Sequence, residues 1–136
     1  MKPHLPLFLA TTLLFTACQD NKQESIKQLS GDVLALHDEI MPRSEELMNL
    51  KGELQKRVGE DSTARPTGDS LIAALDRADN GMSDWMSAYA DANKDLQGDA
   101  ALAFYEGEKV KLTRLKAETE TSIVRAKEFL KTAPAK

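Results

Sequence analysis

The stretch IKQLSGDVLALHDEIMPRSEELMNLKGELQKRV, residues 26–58, decides the fold. Its apolar residues stand at Ile26, Leu29, Val33, Leu36, Ile40, Leu47, Leu50 and Leu54, in steps of three and four once position 43 is counted. Arg43 and Arg57 are the charges that fall on that seam. Such spacing lays one apolar stripe along a helix, and the stripe needs partner helices to cover it. A helix over Ser25–Val58 is roughly 50 Å long at the usual rise per residue. Pro42 sits in its middle. Proline has no amide to offer the Asp38 carbonyl, and its ring crowds the preceding turn, so the helix kinks there or splits in two. Gly59 is the expected C-cap.

Downstream, Gly59–Gly68 holds Gly, Asp, Ser, Thr, Arg and Pro66 without apolar periodicity, and reads as a loop. Thr67 or Asp69 can cap the next helix. That helix spans about Ser70–Leu96, with the seam Leu71, Leu75, Ala78, Met82, Trp85, Tyr89, Ala92 and Leu96. Asn80-Gly81 is a turn signal on its own, but the seam keeps phase across it, so the helix runs on. Gln97-Gly98-Asp99 forms a tight connection, with Gly98 closing one helix and Asp99 capping the next. The last helix covers about Ala100–Leu130, with Ala101, Tyr105, Glu108, Leu112, Leu115, Thr119, Ile123, Ala126 and Leu130 on its seam. The step from Thr119 to Ile123 replaces a three with a four, a stutter that relaxes the left-handed supercoil of a coiled coil. Residues 132–136, with Pro134, form a disordered tail. Short connections make neighbours antiparallel. The expected fold is therefore all-α, an up-down-up three-helix bundle over residues 25–131, with four helices if the first breaks at Pro42.

The N-terminus carries an address. Lys2 and His4 give a basic start, and Leu5–Phe15 is an apolar run of 11 residues. A membrane-spanning helix needs roughly 20, whereas a signal-peptide core has this shorter length. Phe15-Thr16-Ala17-Cys18 follows. It resembles the lipobox of bacterial lipoproteins, with Phe15 where Leu is usual. The resemblance implies a signal peptide over residues 1–17, cleavage before Cys18, and a lipid on its sulfur. Each buried methylene of such a lipid contributes about 0.8 kcal/mol, so two or more chains hold a protein stably. Gln19–Glu24 is polar and aperiodic, and residues 18–24 read as a tether. Gln19 stands where the inner-membrane retention signal has Asp, which by the same resemblance implies the outer membrane.

Composition excludes several classes. Charged residues make up 29% and aromatics 5%, so Leu, Met and Ala must build the core. The net charge is −4 and no long Lys/Arg block exists to follow phosphates, so nucleic acid is not an expected partner. A single cysteine rules out an internal disulfide. No glycine-rich phosphate loop, zinc spacing or Gly-x-Ser-x-Gly elbow is present. With His4 lost in processing, His37 is the remaining imidazole, and a nucleophilic triad has no material. Asp38-Glu39 and Glu45-Glu46 lack the Glu-x-x-His partners of a di-metal carboxylate site. They read as a solvated face.

His37-Asp38-Glu39-Ile40-Met41-Pro42, followed one helix later by Asp84-Trp85-Met86 and Tyr89, resembles a group of small Bacteroidota envelope lipoproteins often labelled viral A-type inclusion proteins. The resemblance implies a helical envelope lipoprotein and brings no activity, cofactor or catalytic residue with it.

Antiparallel pairing puts residues at shared heights. With Ile26 level with Leu96, His37 meets Trp85, and Met41 meets Gly81 and Met82. His37 and Met41 are also i, i+4 neighbours. So His37, Met41, Met82, Trp85 and Met86 fall in one layer. Thioether and imidazole suit Cu(I). The same residues equally suit a core, with Met as gap-filler and Trp85 as an anchor whose indole N–H needs an acceptor. Arg43 has Asp79 and Glu118–Glu120 at its level, and a half-buried ion pair there can fix register, as can Glu108 lower down. Leu54 and Val58, near the end of the first helix, are candidate docking residues, or else pack under the following loop.

The expected function is a lipid-anchored bundle with a structural or protein-interaction role, non-enzymatic, with no cofactor beyond the lipid at Cys18. The alternative is an envelope Cu(I)-binding protein using His37, Met41, Met82 and Met86.

Overall fold

In the computed structural model the backbone is described over residues 14–132 and the side chains over residues 21–132. Among the described residues the chain is all-α: α1 spans Leu14–Ile40, α2 Arg43–Glu60, α3 Arg65–Ala92 and α4 Gly98–Thr132. Proline breaks the first long helix, giving the four-helix form. The Met41 amide still donates to the His37 carbonyl at 2.9 Å, but the Ser44 amide closes a tighter turn onto Met41 at 3.2 Å. Pro42 keeps a right-handed conformation, φ −65° and ψ −12°. The two segments therefore follow one another along the bundle and barely pack side by side. α1 also reaches back to Leu14, so Gln19–Glu24, expected as a linker, is helical. Most of the expected signal segment, residues 1–17, lies outside the described residues. So do residues 133–136 and the side chain of Cys18.

The connections differ from the sequence expectation for local reasons. The turn between α2 and α3 is only Asp61–Ala64 rather than Gly59–Gly68. The Asp61 carboxylate accepts the Thr63 amide at 2.9 Å and the Thr63 hydroxyl at 2.7 Å, which folds the turn on itself. Pro66 then falls in the first turn of α3, where a missing amide costs nothing. Gly68 is helical and buried, because Val58 of α2 sits over it. A Cβ at Gly68 would lie 2.1 Å from Val58 Cγ1. At the other end α3 stops at Ala92, not Leu96. The Asn93 amide reaches the Tyr89 carbonyl at 3.1 Å, and Asp95, not Gly98, first takes the left-handed conformation, at φ 63°. Aspartate tolerates that region through local hydrogen bonding of its short side chain. Asn80-Gly81 leaves α3 unbroken, and its glycine admits Leu115 of α4, whose Cδ1 would be 2.9 Å from an added Cβ.

The seams close into two cores. One joins Leu47, Leu50 and Leu54 of α2 to Leu71, Leu75 and Ala78 of α3 and Ile123 and Ala126 of α4. The other joins Val33 and Ile40 of α1 to Met82 and Trp85 of α3 and Leu112 and Leu115 of α4. Each fully buried large aliphatic contributes about 1.5–3 kcal/mol. Leu54 is wholly buried and Val58 covers Gly68, so both serve the interior rather than a docking surface. Ala92, although on the expected seam, is exposed, because α3 ends there. Polar side chains stand between the cores on α4. Thr119 is buried with no hydrogen-bond partner for its hydroxyl, and Ser122 donates to the Thr119 carbonyl at 2.9 Å.

Ion pairs record the register. Lys22–Asp99 and Asp32–Lys109 (both 2.6 Å) and Glu39–Lys116 each join residues 77 apart in sequence. After Pro42 the pair Glu46–Lys127 joins residues 81 apart. One extra turn of α4 has been taken up. The Thr119–Ile123 stutter supplies it, facing the proline break.

Candidate functional site

The cluster around Trp85 is where the candidate side chains converge. Trp85 is anchored because its indole N–H, nearly out of solvent's reach, must find an acceptor. It donates to Glu108 Oε2 of α4 at 2.7 Å. Glu108 is itself 5% exposed, and its other oxygen takes Lys111 Nζ at 2.6 Å. A buried carboxylate with both oxygens engaged is stable where a bare one is not. Rings continue from this anchor. His37 lies 5.8 Å from Trp85 at 36°, Tyr89 stacks on Trp85 at 4.6 Å, and Phe104 stacks on Tyr89 at 5.8 Å. Tyr105 meets Phe104 edge-on at 5.2 Å. Burial raises the Tyr89 hydroxyl pKa above its ordinary value, and Tyr105 nearby adds to the shift.

Met82 is buried in this cluster, with Met41 and Met86 half-buried against it. The sequence-derived layer of Met41, Met82, Trp85 and Met86 is thus one packed group. His37 is at its rim, its Nδ1 3.0 Å from Asp38 Oδ1. Among the described residues no group of three His, Cys, Asp or Glu side chains converges. Thioethers beside one imidazole offer a soft-metal set and otherwise an apolar filling.

Arg43 departs from its expected role. It bonds Glu46 at 2.9 Å within α2, three residues on, instead of reaching a carboxylate at its level on another helix. Glu46 also accepts Lys127 of α4. That ammonium holds the Glu46 carboxyl below the usual range, with Arg43 assisting and partial burial opposing. Glu108 makes an indole bond and a local ion pair rather than a register contact between distant charges. A carboxylate on the seam of α4, facing the interior, was the signal that it needs a buried partner. Phe104 in the ladder had none, since it lies off the seam that Tyr105 occupies.

Among the described residues no helix is long and apolar enough to cross a membrane. No known family matches the chain, and no curated protein or solved structure matches it.

Proposed function

We propose that the chain is a lipid-anchored helical bundle of a cell envelope, with a structural or protein-interaction role rather than a catalytic one. One observation carries the second half of that reading. The side chains with the most chemistry to offer, Trp85, Glu108 and Met82, are buried and satisfied by one another or by apolar neighbours. The first half rests on Phe15-Thr16-Ala17-Cys18 behind an apolar run, and on the resemblance to small Bacteroidota lipoproteins. Gln19 favours the outer membrane. The reading takes the bundle as up-down-up, with α1 and α2 as one limb. In support, the ion-pair partners on α1 and α4 advance together, while Trp85–Glu108 and Gly81–Leu115 step in opposite senses along α3 and α4.

The test is metabolic labelling of the full chain with an alkyne fatty acid in a bacterium with two membranes. The parent takes label and fractionates with membranes. Cys18→Ser takes none and is released. A mature protein whose mass shows a bare thiol ends the anchoring idea. A second reading, Cu(I) binding, draws on the gathering of Met41, Met82 and Met86 beside His37. Anaerobic Cu(I) titration of Met41→Leu/Met82→Leu decides it, since an affinity equal to the parent's removes that reading.

A further inference from the structure

The outer groove between α3 and α4 gathers cations that the rest of the molecule does not use. Arg77 of α3 and Arg114 and Arg125 of α4 line one depression of about 520 Å³. Arg114 and Arg125 are eleven residues apart, close to three whole turns, so they share a helix face. Lys51, Lys109, Lys111, Lys116 and Lys127 each hold a carboxylate. None of the three arginines has an ion pair or hydrogen bond among the described residues. Glu118 is the one acid in the lining, so the groove carries a net charge of about +2 on a chain of net charge −4. Ala74, Ala78 and Ala117 keep it open, and Thr121 is part of its lining. Guanidinium is a planar fork that grips phosphoryl oxygens two at a time.

We propose that this groove binds a ligand carrying two or more phosphoryl groups, held by Arg77, Arg114 and Arg125. A single phosphate cannot satisfy three separated forks, whereas an oligophosphate or a phosphorylated lipid headgroup can. Glu118 tempers the site, so its neutralisation strengthens binding.

The test follows the arginine Nε–Hε NMR signals of the full chain in neutral detergent at constant ionic strength. One arm adds inorganic orthophosphate or tripolyphosphate, and the other dopes the micelles with cardiolipin, a lipid whose headgroup carries two phosphoryl groups. Tripolyphosphate is expected to shift all three signals and to bind about tenfold more tightly than orthophosphate, with each Arg→Gln losing about tenfold. Glu118→Gln gains affinity. Lys27→Gln and Lys56→Gln, on other faces, leave it unchanged once ionic strength is fixed. A response to doped micelles alone assigns the phosphoryl groups to a lipid, and a response to tripolyphosphate alone to a soluble ligand. Silence in both arms overturns the proposal. So does equal binding by Arg77→Gln/Arg114→Gln/Arg125→Gln, whose exposed, unpaired positions leave the fold intact by circular dichroism.

Discussion

Gly68→Ala should destabilise the protein even though it replaces the poorest ordinary helix former with the best. In an open helix the change gains about 1 kcal/mol. Here the new Cβ would stand 2.1 Å from Val58 Cγ1, against about 3.5–4.0 Å for an unstrained carbon pair. Valine in a helix has one strongly preferred rotamer, so Val58 cannot swing aside cheaply. The remaining escape is to push α2 and α3 apart at their turn, and overpacking of this kind costs about 1–3 kcal/mol. Net destabilisation near 1 kcal/mol is expected, about 4 °C in Tm for a domain of this size. Urea and thermal unfolding followed by circular dichroism measure it. Val58→Ala alone costs about 1 kcal/mol for lost packing. The double variant should recover the helix-propensity gain, giving a favourable coupling of about 1–3 kcal/mol. If Gly68→Ala melts at or above the parent with Val58 present, the close approach of α2 to α3 is not as described.

Thr119→Val removes a buried hydroxyl that has no partner and keeps the side chain's shape, so it should stabilise by about 1 kcal/mol, read as a higher urea midpoint at unchanged m. A loss of stability would mean that the hydroxyl is satisfied. Glu108→Leu orphans the Trp85 indole N–H and should cost about 1–3 kcal/mol, whereas Glu108→Gln keeps an acceptor and costs less. Equal melting of the two would remove the indole bond from the account. Glu46 binds protons less readily folded than unfolded, so its stabilisation is full above the ordinary glutamate value of 4.5 and fades as pH falls through the lower folded value. A plot of Tm against pH should therefore drop less steeply below about pH 4.5 in Glu46→Gln than in the parent. Parallel curves would contradict the Lys127 contact.

Apolar spacing alone located α3, α4 and the residues of both cores, because three-four periodicity survives any adjustment at helix ends. The ends themselves were decided by contacts. Pro66 reads as a breaker in sequence, yet it opens a helix. Gly68 reads as loop, yet it is helical because Val58 needs the room. Asp95 takes the left-handed turn after α3, while Gly98, expected to close that helix, is left-handed too but opens α4. The Met41–Met82–Trp85–Met86 layer was legible because two seams, taken as antiparallel, fix relative height. Trp85–Glu108 was not foreseen, because Glu108 reads as a register charge and the indole's need for an acceptor names no particular partner. The local Arg43–Glu46 pair won over a distant one because three residues along a helix is the shorter reach.

The pair Lys22–Asp99 has a mechanical consequence. α1 is helical from Lys22 back past position 18, and those four residues rise only about 6 Å. Acyl chains at that sulfur would bring the bilayer close beneath the turn joining α3 to α4. The molecule would then stand as a mast on its deck rather than swing as a buoy on a rope. Its tip, the Asp61–Ala64 turn, would ride about 50 Å up, given the length of α4. Anything meant to touch that tip would find it at one altitude and in one orientation.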